Sequence, residues 1–408
     1  MSEFKKQNIL INLLLFFVIL IIGLFGAEFL MHKLQPKHEE YLLDPKLKVI
    51  GNPAAGRDKN GYRNETVPLS ADIVAIGDSQ TDGLLNAKNI ADSWPHALGK
   101  MLEKNVYQVA LAGYGPVQYN YLLDQALTFN PNTIIIGFYL GNDLFDVFDM
   151  VYQNDNWPEL KDKNFTFNEP INIDITKENF ISLKYAYKKG SWQYKLMTLR
   201  QWLRQNSYLY GFLSDTTAGL RNKLGLLDDQ ENREQRLNNF ADNNQDLLFF
   251  YNENPKTTLS PFYRATVINL NDQRIQEAFR ITQQLFLEMH KKLTTQNKQF
   301  IILIIPTKEM VYGQFMAEKK IIFPEQLQTY LDKEKEVIIN IEKFCQTNHL
   351  KCVNATNKLV FGVAEKKEIY PADIDGHPTA IGYQLIAESV FEYLQNNLST
   401  NSLDMIKQ

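Results

Sequence analysis

Five short apolar runs punctuate the chain, at Ile73–Ile76, Tyr107–Leu111, Ile134–Leu140, Phe300–Ile305 and Cys352–Val353. Each has the length of a buried strand rather than of a helix. Between and after them the pattern becomes helical, over Trp94–Leu102, Val117–Leu127, Ile275–Leu293, Glu325–Asn348 and Thr379–Gln395. In the third of these, Ile275, Phe279, Leu285 and Met289 are the apolar positions that mark the buried side. Strands alternating with helices predict an α/β fold, a parallel sheet covered on both faces. Residues 145–268 break the rhythm, with no clean strand–helix unit, and are expected to form a mainly helical insertion. Inside it, Asp228–Gln245 is polar throughout and is expected to be a mobile loop or a solvated helix.

The run Ile9–Ala27 has another character. It carries no charge, and Asn12 is its only strongly polar residue. At ~1.5 Å per residue it spans ~28 Å, close to a bilayer core. Lys5, Lys6 and Lys33 flank it, as befits a span rather than a core helix. Leu24-Phe25-Gly26-Ala27 is a poor cleavage site, and no cysteine follows for a lipid anchor. The expectation is a tail and uncleaved signal anchor over residues 1–29, crossing a bacterial cytoplasmic membrane through residues 9–27. Lys33 and Lys37 after the span balance Lys5 and Lys6 before it, so charge does not set the orientation. A short leading tail ordinarily stays in the cytoplasm, which places the rest outside, in the periplasm. Pro36, Pro45, Pro53 and Pro68, with Gly51, Gly56 and Gly61, mark residues 30–68 as a tether. The folded domain is then expected over 69–397, with a tail at 398–408.

Composition narrows the function classes. The 408 residues are 44% hydrophobic and 22% charged, a globular balance that excludes a largely disordered chain. A formal net charge of −4 offers no basic field for nucleic acid. Cys345 and Cys352 are the only cysteines, too few for a disulfide scaffold or a four-ligand zinc site. They could pair with each other in an oxidising compartment.

In an open parallel sheet, ligands bind at the carboxyl ends of the strands. There the sequence places Gly77-Asp78-Ser79-Gln80-Thr81, Ala112-Gly113-Tyr114-Gly115-Pro116, Gly141-Asn142-Asp143 and Pro306-Thr307-Lys308-Glu309. Asp373-Ile374-Asp375-Gly376-His377-Pro378 stands near the C-terminus. Acyl transfer needs such groups: a hydroxyl, an imidazole to take its proton, a carboxylate to orient the ring, and donors for an oxyanion. Ser79 supplies the hydroxyl and a backbone N–H, Gly113 a second N–H, and Asn142 an amide. Of six histidines, only His377 has a carboxylate neighbour at a loop–helix junction of the sheet domain. Lys308 and Glu309 could touch substrate, or form a surface ion pair or a helix cap. No Gly-x-Ser-x-Gly elbow, Walker A loop, Gly-x-Gly-x-x-Gly or His-Glu-x-x-His motif competes.

The order GDSQT, GYG, GND, DGHP resembles the SGNH (GDSL-type) hydrolase superfamily, in a membrane-anchored bacterial branch with a large insertion. The resemblance covers about Asp72 to Gln395, insertion excepted. It implies a flavodoxin-like three-layer α/β/α fold and ester hydrolysis or acyl transfer without metal or cofactor. It carries the role of nucleophile and oxyanion N–H to Ser79, of oxyanion donors to Gly113 and Asn142, and of base to His377. Two departures stand out. The widespread pattern has its acid three residues before the histidine, where this chain has Ile374. Asp375 stands two before and is taken as the acid, because some branches show Asp-Gly-His; Asp373, four before, is the alternative. Gly141 also directly precedes Asn142, where the family usually has a residue between.

The expected function is a serine esterase acting on acyl esters, with O-acetyl groups of a cell-envelope glycan, or a lipid, as substrate. O-acyl transfer through the same acyl-enzyme and a non-catalytic envelope assembly protein are the alternatives. Within the insertion, Lys184–Lys223 carries eight basic residues against the single acid Asp215, interleaved with Trp192, Tyr194, Trp202, Tyr208, Tyr210 and Phe212. Such a segment suits an anionic interface, or a helical cap with a solvated basic face.

Overall fold

The computed structural model describes residues 3–34, 40–83, 86–87, 89–154, 157–168, 191–223, 247–250, 255–260, 265–372 and 374–405. The chain divides into two compact units. One comprises residues 1–39 and 179–244, the other 40–178 and 245–408.

In the first unit, helix α1 (Glu3–Leu34) contains the stretch Leu14–Leu34, which has no buried residue and is long and apolar enough to cross a bilayer. The other described helices of that unit, given below as α6 and α7, come from the insertion. Asp228–Gln245 and Lys184–Gly190 lie outside the described residues.

The second unit begins with a hairpin, β1 (Tyr41–Asp44) against β2 (Lys48–Gly51). Strands β3 (Ile73–Gly77), β4 (Val106–Ala110) and β5 (Thr133–Tyr139) follow, interleaved with α2 (Ser79–Asp82), α3 (Trp94–Leu102) and α4 (Pro116–Leu127). Helix α5 (Asp143–Phe148) leads into the insertion, which holds α6 (Trp192–Asn206), α7 (Tyr208–Lys223) and a second hairpin, β6 (Leu248–Phe250) with β7 (Thr257–Leu259). The chain then runs through α8 (Gln273–Thr294), β8 (Gln299–Ile305), α9 (Lys308–Glu318), α10 (Glu325–Thr347), β9 (Lys351–Asn354), α11 (Thr356–Ala364) and α12 (Ala380–Met405).

The five expected strands form one parallel sheet in the order β4-β3-β5-β8-β9. Every residue of β3, β4 and β5 is buried, which a parallel sheet achieves only with helices on both faces. Helix α3 packs against α12, and α4 against α8. The chain leaves β3 toward β4, then returns past β3 to β5. That reversal is where a doubly wound sheet opens its crevice.

Of the stretch 30–68, expected as a tether, residues from Glu40 onward carry the β1–β2 hairpin and a buried polar cluster. Asn64 sends its Nδ2 to the Gln108 carbonyl (3.0 Å) and receives the Gln108 N–H at Oδ1 (3.1 Å). One side-chain amide thus satisfies the backbone of edge strand β4 where a neighbouring strand would. Helices α9 and α11 and the β6–β7 hairpin add to the elements expected from sequence. Cys345 near the end of α10 and Cys352 in β9 form a disulfide, with Cα atoms 6.2 Å apart.

Glu334 of α10 is buried and accepts the Thr307 N–H (2.9 Å) and hydroxyl (2.5 Å). Burial pushes its pKa up to about 7, against the lowering effect of those hydrogen bonds. The folded state therefore favours the protonated acid. The stability this contributes is complete below the ordinary carboxylate range and is lost as pH rises through about 7. Glu334→Gln, which mimics the protonated acid, is expected to be more stable than the parent in mildly alkaline buffer, by on the order of 3 kcal/mol at most. The gain should vanish in mild acid, as denaturant midpoints across pH will read.

Candidate active site

Ser79 opens α2 directly beyond β3. Asp78 caps that helix, its Oδ1 accepting the Gln80 N–H at 2.9 Å. Gly77 and Gly137 are register partners on β3 and β5, and a Cβ on either would collide with the Thr81 side chain. Thr81 therefore sits where two side chains are missing, and the Trp94 indole N–H donates to its Oγ1 (3.3 Å). At the other end of α2, Arg57 holds the buried Asp82 carboxylate through Nη1 (3.0 Å) and Nη2 (3.1 Å). Arg63 Nη1 donates to the Asp82 carbonyl (3.1 Å). A four-residue helix has little stability of its own; packing at Thr81 and the two arginines fix it, and Ser79 with it.

His377 reaches Ser79 from the loop before α12. Its Nε2 lies 2.9 Å from Ser79 Oγ, and its Nδ1 2.6 Å from Asp375 Oδ1. A carboxylate at Nδ1 keeps the ring proton there, which leaves Nε2 as an acceptor for the serine hydroxyl. Asp375 Oδ1 also accepts the His377 backbone N–H (3.0 Å), and Oδ2 accepts from Asn86 Nδ2 (3.0 Å). Burial would raise the Asp375 pKa, but the hydrogen bonds from the His377 ring and backbone and from Asn86 outweigh it and hold the acid below its ordinary value. Thr379 caps α12, accepting the Gly382 N–H at Oγ1 (3.3 Å). Asp373 lies outside the described residues.

The sheet order puts the two other candidates on either side of Ser79. Gly113 follows β4 in a turn with φ +79°, and an added Cβ there would meet open space. Only the left-handed backbone, not crowding, constrains that position to glycine. Asn142 follows β5, and its Nδ2 donates to Asp146 Oδ2 at 2.8 Å. An amide has two N–H bonds. Asn142 also hydrogen-bonds the Asp78 carboxyl, so two acids hold the group in place. Asp78 and Asp143 are buried nearby, and burial raises both; Asp143 is raised further by Asp78 and Asp146. Asp143 Oδ1 accepts the Tyr119 hydroxyl (2.9 Å) and Oδ2 the Tyr139 N–H (3.0 Å).

Several supporting residues carry no signature in the sequence. Asn86 bonds the His377 carbonyl (2.7 Å) as well as Asp375. Gln80 Nε2 donates to the Gly376 carbonyl (3.3 Å). Lys308 stands after β8, where a strand end flags it. It is buried, and Nζ donates to the carbonyls of Pro371 (2.6 Å) and Asp375 (3.5 Å). Its neighbour Glu309 faces another way, accepting the Ser260 N–H (2.9 Å) and hydroxyl (3.2 Å). The assembly can move a proton between Ser79 Oγ and His377 Nε2 while Asp375 balances the ring charge.

No protein-family model and no curated protein sequence matches the chain. Solved structures similar to it include an extracellular lipase from Streptomyces rimosus (10% identity, 79% of this chain and 99% of that one, TM-score 0.36). A GDSL-like lipase from Bacteroides thetaiotaomicron aligns at 10% identity over 80% of this chain and 88% of its own, with a TM-score of 0.34. An alpha/beta hydrolase from the metagenome of Lake Arreo aligns at 10% identity over 80% and 95%, with a TM-score of 0.33.

Lys308→Met is expected to loosen the loop 371–379 and to lower stability by ~1–3 kcal/mol, since two half-buried carbonyls lose their donor. Hydrogen exchange should speed up first at the amides of that loop, ahead of the sheet.

Proposed function

We propose that the chain is a membrane-anchored serine ester hydrolase of the SGNH (GDSL) type. The observation that carries this reading is the unbroken hydrogen-bonded line from Ser79 Oγ through both nitrogens of His377 to Asp375. Position adds support, because the line lies at the carboxyl edge of β3, beside the sheet's reversal.

The steps follow from the geometry. An acyl ester enters with its carbonyl carbon against Ser79 Oγ. The hydroxyl proton passes to His377 Nε2 as Oγ bonds to the carbon, and Asp375 stabilises the imidazolium. The carbonyl oxygen takes up the negative charge, met by the N–H groups of Ser79 and Gly113 and the Asn142 amide. Collapse breaks the ester C–O bond, and His377 returns the proton to the leaving alkoxide. Water repeats the sequence on the acyl-enzyme: it gives its proton to His377, adds to the acyl carbon, and Ser79 leaves with that proton. Carboxylates surround the Asn142 amide, and charge there would oppose an oxyanion. Burial raises Asp78 and Asp143, which weakens this repulsion. No step requires a metal or cofactor.

Two further features support an extracytoplasmic location. Helix α1 is long and apolar enough to anchor the chain, and Cys345 and Cys352 are joined, as suits an oxidising space. In that setting we take O-acylated envelope glycans and lipids as the substrate class.

Ser79→Ala in the full chain is expected to abolish both turnover of p-nitrophenyl esters and labelling by a fluorophosphonate. Retained labelling would place the nucleophile elsewhere. For Asp375→Asn, kcat is expected to fall by ~10⁴ with folding nearly intact, because the amide favours the wrong ring tautomer. A drop confined to melting temperature would reduce Asp375 to a loop-forming role.

A further inference from the structure

Helices α6 and α7 of the insertion belong to the same compact unit as α1, and three observations give this hairpin an occupant. The first is its attachment. Glu28 lies in the apolar stretch of α1, where a carboxylate is costly unless satisfied. Its Oε2 accepts the Ser207 hydroxyl (2.7 Å) and the Leu209 N–H (3.1 Å), and its Oε1 the Tyr208 N–H (2.6 Å). Ser207 in turn caps α7, accepting the Tyr210 N–H at Oγ (3.0 Å). The N-terminus of α7 therefore supplies both the donors and the positive end of the helix dipole that this carboxylate needs. One turn further along α1, the His32 ring meets the Tyr208 ring edge-on, with centroids 4.6 Å apart. The hairpin is thereby pinned beside the C-terminal part of the span.

The second observation is the face that α6 shows. Trp192, Leu196, Leu199 and Leu203 recur at i, i+4, i+7 and i+11, one stripe of a helix. It is not a buried stripe: Trp192 is 69% exposed, Leu199 51%, and the adjacent Trp202 57%. The third is charge. Lys195 and Arg200, both exposed, flank the stripe, and from Trp192 to Lys223 five basic residues stand against Asp215 alone. An apolar stripe with indoles, bordered by cations, matches the headgroup zone of an anionic bilayer.

We infer that the α6–α7 hairpin is seated in the headgroup region of the bilayer that holds α1, with Trp192, Leu196, Leu199 and Trp202 among the acyl-chain ends and Lys195 and Arg200 on anionic headgroups. The inference rests on reading α1 as a membrane span, and it makes the insertion a second membrane contact.

The test uses the full chain reconstituted into phosphatidylcholine–phosphatidylglycerol vesicles with acyl chains brominated near the headgroup. Flotation reports the anchor, and tryptophan quenching reports the hairpin. The emission of Trp192 and Trp202, taken as the difference between the parent and a Trp192→Phe/Trp202→Phe variant, is expected to drop about twofold or more. The emission of that variant, from Trp94 and Trp157, gives the reference. Lys195→Glu/Arg200→Glu is expected to weaken that quenching in vesicles containing phosphatidylglycerol. A chain that floats while Trp192 and Trp202 quench no more than Trp94 and Trp157 overturns the hairpin's seat and leaves the anchor standing. A chain that does not float overturns both. Emission indifferent to brominated lipid but shifted by soluble dextran sulfate would give the surface to a polyanionic polymer and overturn the lipid assignment. Quenching that charge reversal leaves unchanged would overturn the role of Lys195 and Arg200.

Discussion

The hydrogen bond between Ser79 and His377 joins residues 298 positions apart, and the candidate site exists only if that loop closes. A single hydrogen bond contributes too little to offset such a closure. Packing does it instead. Helix α12 lies against α3, and α3 follows closely on the segment that carries Ser79. The first and last elements of the sheet domain are thereby neighbours, and the loop that enters α12 falls at the carboxyl end of β3. Small polar contacts then set the final ångström: Gln80 on the Gly376 carbonyl, Asn86 on Asp375 and the His377 carbonyl, Lys308 on Pro371 and Asp375. Each comes from a different element, so the loop is held from several directions at once.

The same edge of the sheet concentrates acids. Asp78, Asp143 and Asp146 surround Asn142, and two of them are fully buried. Such a cluster works against an anionic intermediate unless its charge is reduced. Burial does so by raising Asp78 and Asp143, while Asp146 spends its charge on one N–H of the Asn142 amide. Asp375 is the counter-case. It too is largely withdrawn from water, yet His377 and Asn86 give it enough donors to stay ionised. Two environments thus set apart carboxylates that composition alone counts alike.

What the sequence made legible follows from which interactions are local. The five strands were readable because β3, β5 and β8 are apolar on both faces, and a run of that length has few other solutions. Ser79, Gly113 and Asn142 were readable because each directly follows such a run. Helix α9 was not, because nearly all of it is buried, including Lys308 and Glu309 at its start, and a helix buried all round loses the 3.6-residue period. Lys308 illustrates the limit. A lysine at a strand end reads as exposed, and only a loop 63 residues later supplies the carbonyls that allow its burial. Arg57, Arg63 and Asn64 likewise sit in a stretch rich in proline and glycine that resembles a linker. Their partners, Asp82 and Gln108, lie in or beyond the first strand–helix unit.

Glu28 extends this logic to helix α1. By hydropathy it is a blemish near the end of an apolar run, and by helix rules the start of α7 is a set of N–H groups lacking acceptors. Ser207 takes the Tyr210 N–H within the segment of α7, and the Tyr208 and Leu209 N–H groups go to Glu28. Brought together the two defects cancel, the carboxylate taking two backbone N–H groups and the hydroxyl of the capping serine. Replacing α1 by an arbitrary helix of equal hydropathy would lose this match. Helix α1, long and apolar enough to cross a bilayer, is therefore also a structural partner of the insertion through Glu28.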